Sequence, residues 1–415
     1  MKKICIPPLL VFLLTAYSSA SHAQSSVTLF GVIDAGVNYI NNAQTGRTNG
    51  KLNGSSQYTM QDGGAGGISG SRWGLRGTED LGSGLSAIFQ IENGFAINSG
   101  ALGTGGAEFG RQAWVGLKST HYGAVTLGRQ YDSLVNFVQP YTAGAVWGGY
   151  MAFHPGDVDN LGNTHRVNNT IRYTSPTLYG VTLGGTVSLG GVAGSVSERS
   201  VYSFGASYAH GPFSIGAAYL NARNPNYSYF GTNPSAGTAL TSNNLGSAGS
   251  ATSAESYTAI AGYASARTLQ VIAAGTSYIL GAATFAVNYS NTQFKHLGDT
   301  AGSGPDPYGY TGTATFNSAE ASVTYHFTPS LSAGVAYDYT HVSSSDDRSN
   351  ALYHQGSAGV DYFLSKLTDV YGIVVYQHAS GTDSLEQSAV AAIAGQTPSA
   401  NNHQIAVRLG LRHRF

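Results

Sequence analysis

From Val27 onward, apolar and polar residues alternate in short runs, and no clear helical stretch interrupts them. A period of two marks a strand with two unlike faces. In the first run, 27–40, Leu29, Ile33, Val37 and Tyr39 share one face, while Asp34 and Asn38 share the other. The last run, 403–415, sets Ile405, Val407, Leu409, Leu411 and Phe415 opposite Arg408, Arg412 and Arg414. Between them the pattern predicts strands at 71–80, 85–97, 109–119, 124–131, 168–174, 180–189, 199–209, 213–222, 267–278, 282–294, 317–327, 331–342, 354–364 and 369–379, which makes sixteen in all.

The connections also alternate. Tight turns such as Asp80-Leu81-Gly82-Ser83-Gly84 and His210-Gly211-Pro212 are followed by long segments at 41–70, 98–108, 132–167, 190–198, 223–266, 295–316, 343–353 and 380–402. The first of these is rich in Gly, Asn and Ser and reads as a loop. Short turns at one end and long loops at the other describe an up-and-down transmembrane barrel. A soluble β-sandwich has no reason to alternate its loops so regularly. The fold class expected is therefore all-β: a 16-stranded antiparallel barrel with short periplasmic turns and long extracellular loops. Lipid requires such a sheet to close on itself, so strand 403–415 should pair with strand 27–40.

Composition supports this picture. Charged residues are 10% of the chain, against about 25% in average proteins, while Gly numbers 56 and Tyr 27. A sheet that turns apolar residues to lipid and aromatics to the membrane rims has this balance. Lys2 and Lys3, the apolar run 4–16 and Ser21-His22-Ala23 read as a secretory signal over 1–23, which leaves 24–415 as one barrel domain. Cys5, the single cysteine, lies in that signal, so the exported chain would have no disulfide. Without the signal, 18 basic and 21 acidic residues remain, a formal net charge of −3.

The strings VTLFGVIDAGV (27–37), GSRWGLRGTEDLGSGLSAIFQIE (70–92), FGRQAWVGL (109–117) and GAVTLGRQYD (123–132) resemble the general porins of Gram-negative outer membranes. The resemblance is nearest to the neisserial and betaproteobacterial, Burkholderia-like branch. It continues more loosely through RVNNTIRY (166–173) to the terminal Phe415, which is similar to the family's outer-membrane assembly signal. It implies a homotrimer of 16-stranded barrels with the third long loop folded inward to narrow the pore. The residues agree in one respect: the connection 132–167 carries Tyr141, Trp147, Tyr150, Met151 and Phe153, too apolar for a solvated loop, so it should pack inside the barrel.

Candidate site residues follow from charge placement, since arginine rings favour anions. By parity Arg72 and Arg76 share a face. The resemblance implies that Arg72, Arg111 and Arg166 form a basic cluster on the pore wall facing the inserted loop. Trp147 belongs to that loop, where enteric porins carry an acid that is absent here from 145–149. Asp157 and Asp159 are the expected counter-charge, with Asp34, Glu92, Arg408, Arg412 and Arg414 facing the lumen. Arg129 has the parity of the outer face, so a place at a subunit interface, with Glu108 as partner, or under the inserted loop is expected.

The function expected is general diffusion of ions and small hydrophilic solutes, with a mild anion preference. The partners expected are two further copies, outer-membrane lipid and lipopolysaccharide, and the outer-membrane assembly machinery. No catalytic residue, cofactor, metal or nucleic-acid partner is expected. Asp157-Val158-Asp159-Asn160-Leu161-Gly162 matches calcium-loop positions 1, 3 and 6 but has Leu161 at 5 and Asn168 at 12. The competing classes are an outer-membrane barrel enzyme and a surface adhesin or receptor using loops such as 223–266.

Overall fold

The structure, a computed structural model, describes residues 26–237 and 242–415; the signal expected at 1–23 lies outside them. The strands are β1 (Ser26–Thr48), β2 (Lys51–Asp62), β3 (Arg72–Gly82), β4 (Leu85–Gly94), β5 (Gln112–Ser119), β6 (Gly123–Gln130), β7 (Val167–Thr174), β8 (Val181–Ser188) and β9 (Val201–His210). They continue as β10 (Phe213–Arg223), β11 (Thr268–Leu280), β12 (Ala283–Leu297), β13 (Gly312–Thr328), β14 (Leu331–Ser344), β15 (Leu352–Phe363), β16 (Thr368–Ser380) and β17 (His403–Arg414). From β3 onward each pairs antiparallel with the next, β2 and β3 both pair with β1, and β17 closes on β1 from Val32↔Arg414 to Ile40↔Ala406. Phe415 extends the closure by exchanging backbone hydrogen bonds with Gly31.

Seventeen strands make sixteen staves. β2 lies along the upper part of one edge of β1 (Ala35↔Asp62 to Thr48↔Lys51), and β3 takes the lower part of that edge (Ser26↔Thr78 to Val32↔Arg72). The two form one stave, interrupted where 63–71 turns into the barrel. Segment 41–70 is therefore no simple loop, as expected from its composition, but mostly hairpin. Its apolar residues are too few to show a buried face, and β1 is irregular between Ile40 and Ala43 and again between Gln44 and Gly46. The readable signal was Asn49-Gly50: both residues have positive φ, 51° and 78°, as a two-residue type I′ turn requires.

Alternation sorts the faces as expected. Along β17, Leu409 is 68% exposed on the outer face and Arg408 is fully buried inside. Tight turns such as Ser83-Gly84, between Gly82 and Leu85, lie at one end. The long loops meet at the other, where the Arg47 guanidinium near the tip of β1 pairs with Glu255 and hydrogen-bonds Gln387, joining three loops.

The connection 132–167 folds into the barrel. Asp132 accepts from the backbone N–H groups of Leu134 (2.8 Å) and Val135 (3.2 Å), capping the short helix α1 (Ser133–Phe137). Its aromatics then settle on glycines of the wall. A Cβ on Gly205 would stand 2.5 Å from the Phe137 ring, one on Gly275 2.8 Å from Tyr141, and one on Gly334 2.2 Å from the Trp147 indole. Trp147 is thus a wedge, 3% exposed, and not the pore-lining residue expected. Full burial of such a side chain stabilises by roughly 2–3 kcal/mol, enough to hold the loop against the wall.

Candidate functional site

A cavity of about 1170 Å³ runs between the inserted loop and the wall of β1, β3 and β4. Arg72 opens β3 and Arg111 stands just before β5, so strand pairing brings both beside Glu92 of β4. Glu92 accepts from Arg111 Nε at 2.7 Å and from Gln112 Nε2 at 2.9 Å, with Arg72 Nε at 3.3 Å. Arg111 also donates to the Tyr131 hydroxyl at 3.2 Å, and the Arg166 guanidinium lies 5.3 Å from the Tyr131 ring centre. Burial alone would raise the Tyr131 phenol, but Arg111 and Arg166 outweigh it and hold it below its usual value. Two guanidiniums thus share one carboxylate, and the third, Arg166, stands beside them over Tyr131.

The facing loop adds no acid. Apart from Arg166 where it rejoins the wall, its residues on the cavity are neutral, among them Gln139, Ala145, Tyr150, Asn163 and Thr164. Asp157 and Asp159, the expected counter-charge, are 2% and 0% exposed and turn away from the cavity. Asp157 accepts from the backbone of Gly162 (2.6 Å) and from Thr164 (3.1 Å), and burial together with Asp159 pushes its carboxyl up to about 7. Asp159 receives His154 at 2.6 Å. The counter-charge is Glu92. Over the whole cavity, with Arg414 matched by Asp369, Arg72, Arg111 and Arg166 face Asp62 and Glu92, a formal excess of +1.

Other expectations are corrected by position. Arg76 lines a separate cavity toward the short turns, with Lys118, its guanidinium 5.3 Å from the Phe30 ring. The terminal arginines point inward, as does Asp34, but each is matched. Arg408 meets Asp34 at 3.1 Å, Arg412 meets Asp369 at 2.7 Å and Asp361 at 3.4 Å, and Arg414 meets Asp369 at 3.3 Å. Three aspartates against three arginines leave this row neutral, so it supplies no field for anions. Arg129 donates to Gly110 O (2.8 Å), Asn168 Oδ1 (2.5 Å) and Asn233 Oδ1 (3.0 Å), all in its own chain and under the loop 223–266. With these donors engaged, little is left for the expected pairing with Glu108, which is exposed. Tyr131, missed in the sequence, is the first residue past β6, at the base of the inserted loop; it has the outer-face parity of Arg129, and the register shift between Gly128 and Gln130 is what alternation could not show.

Comparison with known proteins agrees with this architecture. A family model described as Gram-negative porin matches residues 10–382. An outer membrane porin of Bordetella pertussis is 34% identical over 235 residues, covering 51% of this chain and 58% of that relative's length. Outer membrane porin protein 32 of Delftia acidovorans is 29% identical over 98% of this chain and 99% of its own. An anion-selective porin from Comamonas acidovorans shares the fold at a TM-score of 0.68 and 22% identity, covering 94% of this chain and all of that one. With a family match across most of its length and a closed barrel of sixteen staves, the chain belongs to the Gram-negative porins, non-enzymatic multi-pass diffusion channels of the outer membrane.

Proposed function

We propose that this porin passes small hydrophilic solutes and ions with a mild preference for anions, set where Arg72, Arg111 and Arg166 stand around Glu92. The observation that carries this is the local charge: three guanidiniums, one carboxylate and an acid-free loop opposite. A narrow site with low-dielectric walls focuses such an excess on the passing ion, so a chain of net negative charge can still favour anions. The Comamonas porin of the same fold is anion-selective. The test is the zero-current potential of purified protein in a planar bilayer under a KCl gradient. A potential of the sign set by chloride supports the proposal, and a cation-set potential overturns it.

The working unit proposed is a homotrimer, embedded in lipid and lipopolysaccharide and inserted by the outer-membrane assembly machinery after removal of residues 1–23. β2 supports an interface: among the described residues its backbone ladder runs to β1 alone, and its Tyr58 and Met60 are 74% and 54% exposed beside an open strand edge. Phe415 would serve as the assembly signal.

A further inference from the structure

A second group of ionisable side chains lies between the inserted loop and β13 and β14, away from the arginines. His154 of the loop is 2% exposed. Its Nδ1 is 2.6 Å from the Asp159 carboxylate, which also receives the Ser290 hydroxyl at 2.5 Å. Its Nε2 faces Asp338 Oδ1 at 3.2 Å, yet the two are misaligned for a hydrogen bond, and both atoms are buried without a partner. Glu320 is directly across from Asp338 in the β13–β14 register. Its Oε1 accepts from the Ala143 N–H at 2.8 Å and the Asn288 amide at 3.0 Å. Ligand atoms of His154, Glu320 and Asp338 lie within 4.8 Å of one another.

Three carboxylates therefore surround one imidazole out of water. Even a fully protonated imidazole would leave a formal charge of −2 if all three acids were ionised. Among the described residues no arginine or lysine forms an ion pair with Asp159, Glu320 or Asp338. Buried charge of that density must be neutralised, by protons or by a cation.

We propose that His154, Glu320 and Asp338 form a binding site for a divalent cation of the zinc class, which would pin the inserted loop to the wall. His154 Nε2 and one oxygen from each acid are the ligands. Asp159 acts on Nδ1, fixing the tautomer that presents Nε2, as carboxylates do behind metal-bound histidines. The 3.2 Å between Nε2 and Asp338 Oδ1 matches the edge of about 3.3 Å between ligands of a tetrahedral ion with bonds of about 2.0–2.1 Å. A small inward shift of Glu320 would complete the set. One imidazole with two carboxylates suits zinc or cobalt, whereas calcium and magnesium prefer oxygen alone. The ion would join His154 of the loop to two wall strands, so it would steady the loop that bounds the pore.

The experiment uses purified full-length protein, stripped with EDTA and then titrated with Co²⁺, both as isolated and after refolding with the metal present. One Co²⁺ per chain with a four-coordinate visible spectrum is expected, and Asp338→Asn should weaken it at least about tenfold. Crystals of the wild-type protein soaked in Zn²⁺ should show one anomalous peak between His154, Glu320 and Asp338. This arm stands even if the variant fails to fold. No peak there by either route, or equal Co²⁺ binding by wild type and Asp338→Asn, would overturn the proposal and leave an imidazolium bridging Asp159 and Asp338.

Discussion

Glu92→Gln isolates the charge that balances the arginine cluster. The substitution keeps the shape of the side chain and removes the carboxylate that Arg111 meets at 2.7 Å and Arg72 at 3.3 Å. The formal excess around the cavity would rise from +1 to +2. In water, one extra unit charge about 6 Å from a passing ion is worth about 0.7 kcal/mol. Screening at a Debye length of about 8 Å roughly halves that. Chloride would gain and potassium would lose, so the chloride-to-potassium permeability ratio should rise about threefold near physiological salt, and more at low salt. Breaking a buried pair costs about 3–5 kcal/mol, but Arg72 is 29% exposed, so the lower end applies. Trimer content on a semi-native gel should be checked before the recording. The assay is the zero-current potential of wild type and variant under the same KCl gradient. An unchanged or lower anion preference in properly assembled trimers would refute the reasoning.

Gly334→Val should unseat Trp147, since its Cβ would meet the indole at 2.2 Å and overpacking costs roughly 1–3 kcal/mol; single-channel conductance should shift and protease should cut 132–167 faster. Asp383, in the loop 380–402, is raised to about 7, first by burial. Between its ordinary value of 3.8 and 7 the folded loop binds the extra proton, so docking weakens as pH rises through that window, by up to about 4 kcal/mol. The protection of amides in 380–402, taken relative to intrinsic exchange at each pH, should fall from pH 4 to pH 8 in wild type, and Asp383→Asn should remove most of that fall. Deleting Phe415 removes the backbone exchange with Gly31 and should lower the yield of trimers in the outer membrane; normal assembly would count against its role as a signal.

The strand pattern was legible because lipid and lumen impose opposite polarity on alternate residues. Sixteen stretches could be placed, most within two or three residues of their ends. β2 escaped because Gly54 and Ser56 interrupt the one face that carries Leu52, Tyr58 and Met60, leaving the Asn49-Gly50 turn to announce it. The inward fold of 132–167 followed from its aromatics. The glycines that receive them did not, because Gly334 and Gly359 meet Trp147 only through register across distant strands. Arginine positions were readable, but their partners were not. Glu92 reaches Arg111 through β4–β5 pairing, and Asp361 and Asp369 reach Arg412 from β15 and β16. Asp157 and Asp159 misled because charge in a sequence carries no direction, and the loop backbone turns both inward.

The most direct test of the charge cluster is where ions rest in the pore. Crystals soaked in bromide, and others soaked in rubidium, can be compared by anomalous scattering at the cavity. Bromide density beside Arg72, Arg111 and Arg166 with no rubidium there is the result predicted. Rubidium at Glu92 with no bromide at the arginines would contradict the account.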